Sequence, residues 1–448
     1  MQKNNDFLGS QSIGKLLFKM SMPATIAMIV MMLYNIIDSI FVGKFVGMSG
    51  FGAISITLPF IMIFMAVGHG IGMGSSSLIS RMFGENKKES LNKVFGNTIT
   101  LTFIFGIVIS IFSFLFLDYI LVFLGSTDTI LIFAKDYLSI ILIGIIFQLF
   151  ALVFNSIIRA EGNAGFSMIL MIISALSNIM LDYIFIIIYD FGIKGAAYAT
   201  VIAQILSFLM TVFYFYKRSV INFEIKYLKL DYPIIKDIFK IGLTSFAREI
   251  SMVIVAILVN NSLKYYGGDL AISIYGIIYR VIIIIIMPSM GILQGSLPII
   301  GYNYGAKKMK RVQEITLLSI KSSTLIITVF FIIVMLFPNF FSSLFTNDLE
   351  LIEKTKGAIR IFMLMFPLVG SQIIIGGYFQ AIGKAKEAFI VSLIRTFIAL
   401  IPLVLILPLF FSINGIWYAY VLSDFIGFCV SIFYYRKEKY EINFLKDS

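Results

Sequence analysis

The chain has 448 residues, of which 59% are hydrophobic and 13% charged, with a formal net charge of +11. A soluble domain carries roughly a quarter charged residues, and a water-exposed chain this apolar would lack the polar surface to cover itself; a soluble fold is excluded and lipid is the expected solvent. One cysteine, Cys429, and one histidine, His69, exclude an intrachain disulfide, a thiol pair and a multi-histidine metal centre.

The polar stretch from Met1 to Ser12 precedes no short apolar run with a small-residue cleavage site, so no cleaved signal peptide is expected. Twelve apolar stretches follow, with cores near 16–43, 52–80, 94–117, 130–156, 166–189 and 195–216, then 234–263, 270–302, 312–337, 351–380, 388–410 and 413–435. Each is long enough to cross about 30 Å of hydrocarbon as a helix, which takes about 20 residues. All are far longer than the roughly ten alternating residues of a barrel strand. The expected fold is an all-α membrane protein of twelve transmembrane helices.

Charge sets the expected topology. Lysines and arginines flanking the first span, the loops after every even span and the tail number 24; the loops on the opposite side hold 7. Positive residues stay cytoplasmic, so both termini are expected in the cytoplasm, with the chain multi-pass in the cell membrane. The basic balance is thereby topogenic, and neither nucleic acid nor nucleotide is an expected partner. No Gly-rich Lys-Ser/Thr motif appears, so ATP hydrolysis is not expected, and no nucleophile–base or metal cluster suggests an enzyme.

The two halves repeat. Gly74 and Gly84 recur as Gly295 and Gly305 at an offset of 221, and Arg159-Ala-Glu-Gly-Asn-Ala164 matches Gln380-Ala-Ile-Gly-Lys-Ala385 at the same offset. Phe191, Gly195 and Tyr198 match Phe411, Gly415 and Tyr418 at 220. Six spans per half makes the halves parallel repeats related by a pseudo-two-fold axis along the membrane normal. The expected organisation is a six-helix bundle over 1–217, a basic cytoplasmic linker over 218–233, and a second six-helix bundle with a short tail over 234–448. Two such halves favour a transporter.

Ionisable groups within spans cost about 2.5–3.5 kcal/mol on insertion scales and so require a reason. In the first half, Tyr34 and Asp38, Asn178 and Asp182, and Thr200 and Gln204 each stand four residues apart, which stacks each pair on one helix face. If the first, fifth and sixth spans are neighbours, these faces converge on one pocket of hard oxygen ligands suited to a proton or a sodium ion. A sodium ion would use Asp38, Asn178, Asp182 and Thr200. Helix-packing hydrogen bonds are the alternative reading of the same residues. The second half does not repeat the pattern: Ile398 and Pro402 replace Asn178 and Asp182, and Asp424 replaces Gln204. Glu249 is its main acidic candidate for cargo or proton binding, or else an ion-pair partner of nearby basic groups; Asp424 and Gln372 are further substrate-binding candidates of this half, with a structural pair to Arg395 the alternative for Asp424. His69 lies in Gly68-His-Gly-Ile-Gly-Met-Gly74, where the glycines suit close helix packing.

The motif Tyr34-Asn-Ile-Ile-Asp38-Ser-Ile-Phe-Val-Gly-Lys44, with Gln294-Gly-Ser-Leu-Pro298-Ile-Ile-Gly-Tyr-Asn-Tyr-Gly-Ala-Lys307, resembles the multidrug and toxic compound extrusion (MATE) family, in its MepA-like bacterial branch. The resemblance covers nearly the whole chain. It implies a secondary active multidrug efflux transporter that exports cationic or amphiphilic drugs and dyes by proton- or sodium-coupled antiport with alternating access. The implied protein is a lipid-embedded monomer with no cofactor besides the coupling ion. Asp38 occupies the position of the family's coupling aspartate; Asn178, Asp182 and Thr200 match its fifth- and sixth-helix ion residues, and Glu249 a seventh-helix glutamate. The tenth-helix aspartate of some branches is missing, with Gln372 and Gln380 the polar residues there. The alternative is a flippase for a lipid-linked oligosaccharide or peptidoglycan precursor, built on a related architecture.

Overall fold

The computed structural model describes residues 7–447, and all side chains there except those of Asn35, Ser39 and 441–447. The polar N-terminal residues 1–6 and Ser448, expected at the two cytoplasmic ends, lie outside the described residues. Among the described residues the regular elements are helices, with no strand. Helices α1 (Ile13–Val46), α2 (Met48–Gly84), α3 (Lys88–Leu115), α4 (Asp128–Ala160), α5 (Ala164–Ile188) and α6 (Gly192–Lys217) are each long and apolar enough to span a bilayer. So are α9 (Met309–Leu336), α11 (Ala385–Phe411) and α12 (Ile413–Tyr440).

Between α6 and α9 the helical stretch Tyr232–Gly305 runs 74 residues. At 1.5 Å per residue that is about 110 Å, more than three times a hydrocarbon core of about 30 Å. Gly268, at φ 63° and ψ −158°, divides it; that conformation is open to glycine and strained for other residues. The stretch is therefore two spans, α7 (232–267) and α8 (269–305). The remaining span, α10, is broken: Leu349–Phe362 and Phe366–Ala381 meet at 53°. Pro367 enters at the start of the second piece, lacks an N–H and disfavours helix in the residue before it, so the expected continuous span over 351–380 is bent. The twelve expected spans are all present.

The repeat reaches beyond the spans. Short helices Leu117–Phe123 and Pro338–Ser343 follow α3 and α9, beginning at the same 221-residue offset.

The described residues form two compact units, one of 7–10 with 26–246, the other of 11–25 with 247–447. The start of α1 thus packs with the second half and the start of α7 with the first. Glycine explains both: a Cβ on Gly74 of α2 would collide with the Ile238 carbonyl of α7, and one on Gly295 of α8 with Ser21 of α1. These two glycines are equivalent in the repeat. Small residues let helix backbones approach closely where lipid supplies no hydrophobic drive. In the first unit α4 is central, packed against α2, α3, α5 and α6, with Leu138, Ile141, Ile145 and Leu149 in its core.

Candidate functional site

The polar residues of α1, α5 and α6 converge inside the first unit. Asp182 is fully buried and Asn178 nearly so, while Tyr34, Asp38 and Thr200 are half-buried. The carboxyl groups of Asp38 and Asp182 are neighbours within electrostatic reach of one another. The amide of Asn178, oriented so that both its ends are satisfied, donates to Asp182 Oδ2 at 2.9 Å and accepts from the Thr200 hydroxyl and backbone N–H at 3.3 and 3.2 Å. The Tyr34 hydroxyl lies beside Thr200. One oxygen of each aspartate, Oδ1 in both, is buried without a hydrogen-bond partner. These two oxygens are the site's unused ligands.

Local backbone helps place them. Asp182 ends the α-helical part of α5, and a π-helical turn Tyr183–Ile188 follows. In α1 a second π turn, Val42–Val46, begins four residues after Asp38, and the two π segments touch. Such widened turns recur at functional sites because they redirect neighbouring side chains.

Of the sequence-derived candidates, Tyr34, Asp38, Asn178, Asp182 and Thr200 are brought together. Gln204, one turn beyond Thr200, turns to α4, where its Nε2 donates to Gln148 Oε1 at 2.8 Å. Tyr137 of α4 joins the site unforeseen: it is buried within electrostatic reach of Asp38, Tyr34 and Asp182. It follows the charged pair Lys135-Asp136 and has no polar residue four positions away on a shared face, so no spacing signal marks it. As for a sodium ion, the carboxylate and hydroxyl oxygens are hard donors, but the Asn178 carbonyl faces Thr200 rather than the aspartates.

The second unit handles its polar residues differently. Asp424 is fully buried and pairs with Arg395 Nε, and Gln372 Nε2 donates to the Asp424 backbone carbonyl at 2.8 Å. Glu249 lies 3.7 Å from Arg248 Nη2 and within electrostatic reach of Tyr279. Asp424 and Gln372 are thus joined. At the repeat offsets, Tyr34, Asp38 and Tyr137 correspond to Val255, Val259 and Ala358, and Thr200 to Tyr420. All four replacements are members of one buried hydrophobic cluster. The equivalent of the carboxyl pocket is filled with apolar core.

A sequence profile of the MatE family matches residues 23–184 and 244–406. The chain is 29% identical over 411 residues to the multidrug export protein MepA of Staphylococcus aureus, covering 92% of this chain and 90% of that protein. It is 27% identical over 421 residues to the MepA of Staphylococcus saprophyticus, covering 93% and 92%. Among solved structures, it superposes on an outward-facing multidrug resistance MATE transporter with a TM-score of 0.93 at 26% identity, covering 100% of both chains. A Pyrococcus furiosus transporter of the MOP superfamily matches with a TM-score of 0.92 at 25% identity, covering 99% of both chains.

Proposed function

The chain belongs to the MatE family, a multi-pass membrane protein related to multidrug export proteins rather than enzymes, and from that premise we propose that it exports cationic or amphiphilic drugs and dyes in exchange for protons or sodium ions. The observation that carries the coupling is the Asp38–Asp182 carboxyl pair inside the first unit. An ion entering from outside occupies the two aspartates, draws α1 towards α5, and stabilises the conformer that holds cargo weakly. Cargo stabilises the opposite conformer, and each ligand shifts the balance only by its differential affinity for the two. The membrane potential adds about 2.3 kcal/mol per elementary charge per 100 mV. Both termini lie in the cytoplasm, as the lysine and arginine bias directs.

The reading is tested by dye efflux from vesicles reconstituted with the wild-type protein under an imposed proton gradient, an imposed sodium gradient, or neither. Efflux accelerated by one gradient supports antiport. Efflux indifferent to both overturns it.

A further inference from the structure

The segment between α6 and α7 is a fixed strap. Thr100 of α3 donates to the Leu228 carbonyl at 2.7 Å, and Asn97 donates to the Lys229 carbonyl at 3.4 Å while accepting from Asp231 N–H at 2.7 Å. Asn92 accepts from Asn222 N–H at 3.1 Å. Gly96 makes the approach feasible, since a Cβ there would collide with the Tyr227 carbonyl. At the other end, buried Glu161 accepts from Ser219, from Ile221 N–H at 3.3 Å and from Tyr214 at 2.6 Å. With its backbone committed to α3, the strap leaves large apolar side chains exposed: Phe223 at 54% and Ile225 at 77%.

Exposed apolar residues are ordinary on lipid-facing spans, but these lie outside the spans, among charges. Lys217, Arg218, Lys226, Lys229, Lys236 and Lys240 are all exposed, against three acids, Glu224, Asp231 and Asp237. Lys226 and Lys229, with Lys93 of α3, line a cleft of about 380 Å³ that Tyr227, Leu230 and Asp231 help to close. Lys93 pairs with exposed Glu89 at 2.9 Å and Lys226 with Glu224 at 2.7 Å, surface pairs that a headgroup displaces at little cost. Apolar side chains interleaved with lysines at the end of a span are the composition of a segment lying in the membrane interface, where acyl chains take the former and anionic headgroups the latter.

We propose that the strap is a docking surface for anionic phospholipid of the adjoining leaflet, with a headgroup in the Lys93–Lys226–Lys229 cleft and Phe223 and Ile225 among the acyl chains. This rests on the cytoplasmic placement of the strap, not on transport. The rigid anchoring on α3 gives the surface a fixed shape, so lipid bound there bears directly on the first unit.

The experiment uses full-length protein with Cys429→Ser and Ile225→Cys, spin-labelled at 225, in liposomes of phosphatidylcholine alone or with phosphatidylglycerol. Collision with oxygen relative to a water-soluble nickel complex is expected to rise severalfold with phosphatidylglycerol, and Lys226→Gln/Lys229→Gln to remove the rise. A label equally nickel-accessible in both membranes, or a rise unchanged by the glutamines, overturns the proposal. Retention of phosphatidylglycerol on the unlabelled protein in native mass spectrometry, expected to drop with Lys93→Gln/Lys226→Gln/Lys229→Gln, checks it without the probe; equal retention overturns it. An impermeant maleimide at Lys229→Cys in intact cells checks the placement: no labelling from outside is expected, and labelling from outside overturns the cytoplasmic placement and the proposal with it.

Discussion

Asp38 of α1 and Asp182 of α5 stand within electrostatic reach of one another, each with one buried oxygen left without a hydrogen-bond partner. The pair joins two helices, so whatever occupies or leaves it acts on their relative position. In the proposed antiport an ion acts on backbone position through this pair, not through a single acid.

Asn178 holds that pair in place by donating to Asp182 and accepting from Thr200. A hydrogen bond to a charged group contributes about 1.5–3 kcal/mol, and each 1.4 kcal/mol is tenfold in affinity. Asn178→Ala is expected to move the ion concentration for half-maximal dye efflux by about tenfold or more. A dose–response in imposed gradient reads this directly, and an unmoved midpoint contradicts the bridging role.

Arg395 and Asp424 form a buried ion pair in the second unit. Removing one partner leaves a buried charge unpaired and costs about 3–5 kcal/mol, whereas replacing both with apolar groups is often neutral. Arg395→Met and Asp424→Leu are each expected to lower thermal stability in detergent, and the double variant to recover it with gradient-driven efflux intact. Efflux lost in a double variant of normal stability assigns the pair to transport instead.

Glu161, in the turn after α4, is pushed by burial from the usual carboxylate range up to about 7, against the pull of its hydrogen bonds to Ser219, Tyr214 and Ile221. The folded state binds this proton more tightly than the unfolded chain. The contribution to stability is therefore full below the ordinary value near 4.5 and is lost as pH rises to about 7. The loss is at most about 3 kcal/mol at 1.36 kcal/mol per pH unit. Amide exchange at residues 219–222 is expected to accelerate across that window and level off above it, and Glu161→Gln to flatten the profile. A profile equally steep in the variant contradicts the assignment.

Gly74 and Gly295 occupy equivalent helix crossings. Overpacking a tight contact costs about 1–3 kcal/mol, so Gly74→Val and Gly295→Val are each expected to lower the yield of folded protein and its melting temperature, to similar degrees. Melting curves of the purified variants test this; one variant at wild-type stability would show that the repeat is not matched there.

The spans and the repeat were legible because hydropathy and glycine spacing are dictated by lipid and by close helix approach, both local in sequence. Asp38, Asp182, Asn178, Thr200 and Tyr34 were legible because a polar pair one turn apart in an apolar helix is conspicuous. Tyr137 was not, since a tyrosine just after the charged Lys135-Asp136 pair, with no polar residue one turn away, reads as the end of a span. Gln204 follows the same spacing as its neighbours, yet α4 offers it Gln148, a tertiary partner that no helix-face argument contains. The bend in α10 was hidden for a related reason: Pro367 marked a place where a kink is allowed, while hydropathy ran on unbroken. The apolar filling of the second unit was half visible, in Val255 and Val259, but only the fold shows them in one core cluster.

Coupling through the first unit alone is tested most directly by gradient-driven dye transport in proteoliposomes, comparing Asp38→Asn with Glu249→Gln, and with dye binding measured on the same preparations. Asp38→Asn is expected to bind dye yet transport it at a rate indifferent to the gradient, while Glu249→Gln keeps its gradient response even if its affinity for dye falls. Undiminished gradient-driven transport by Asp38→Asn would contradict the assignment of coupling to the Asp38–Asp182 pair.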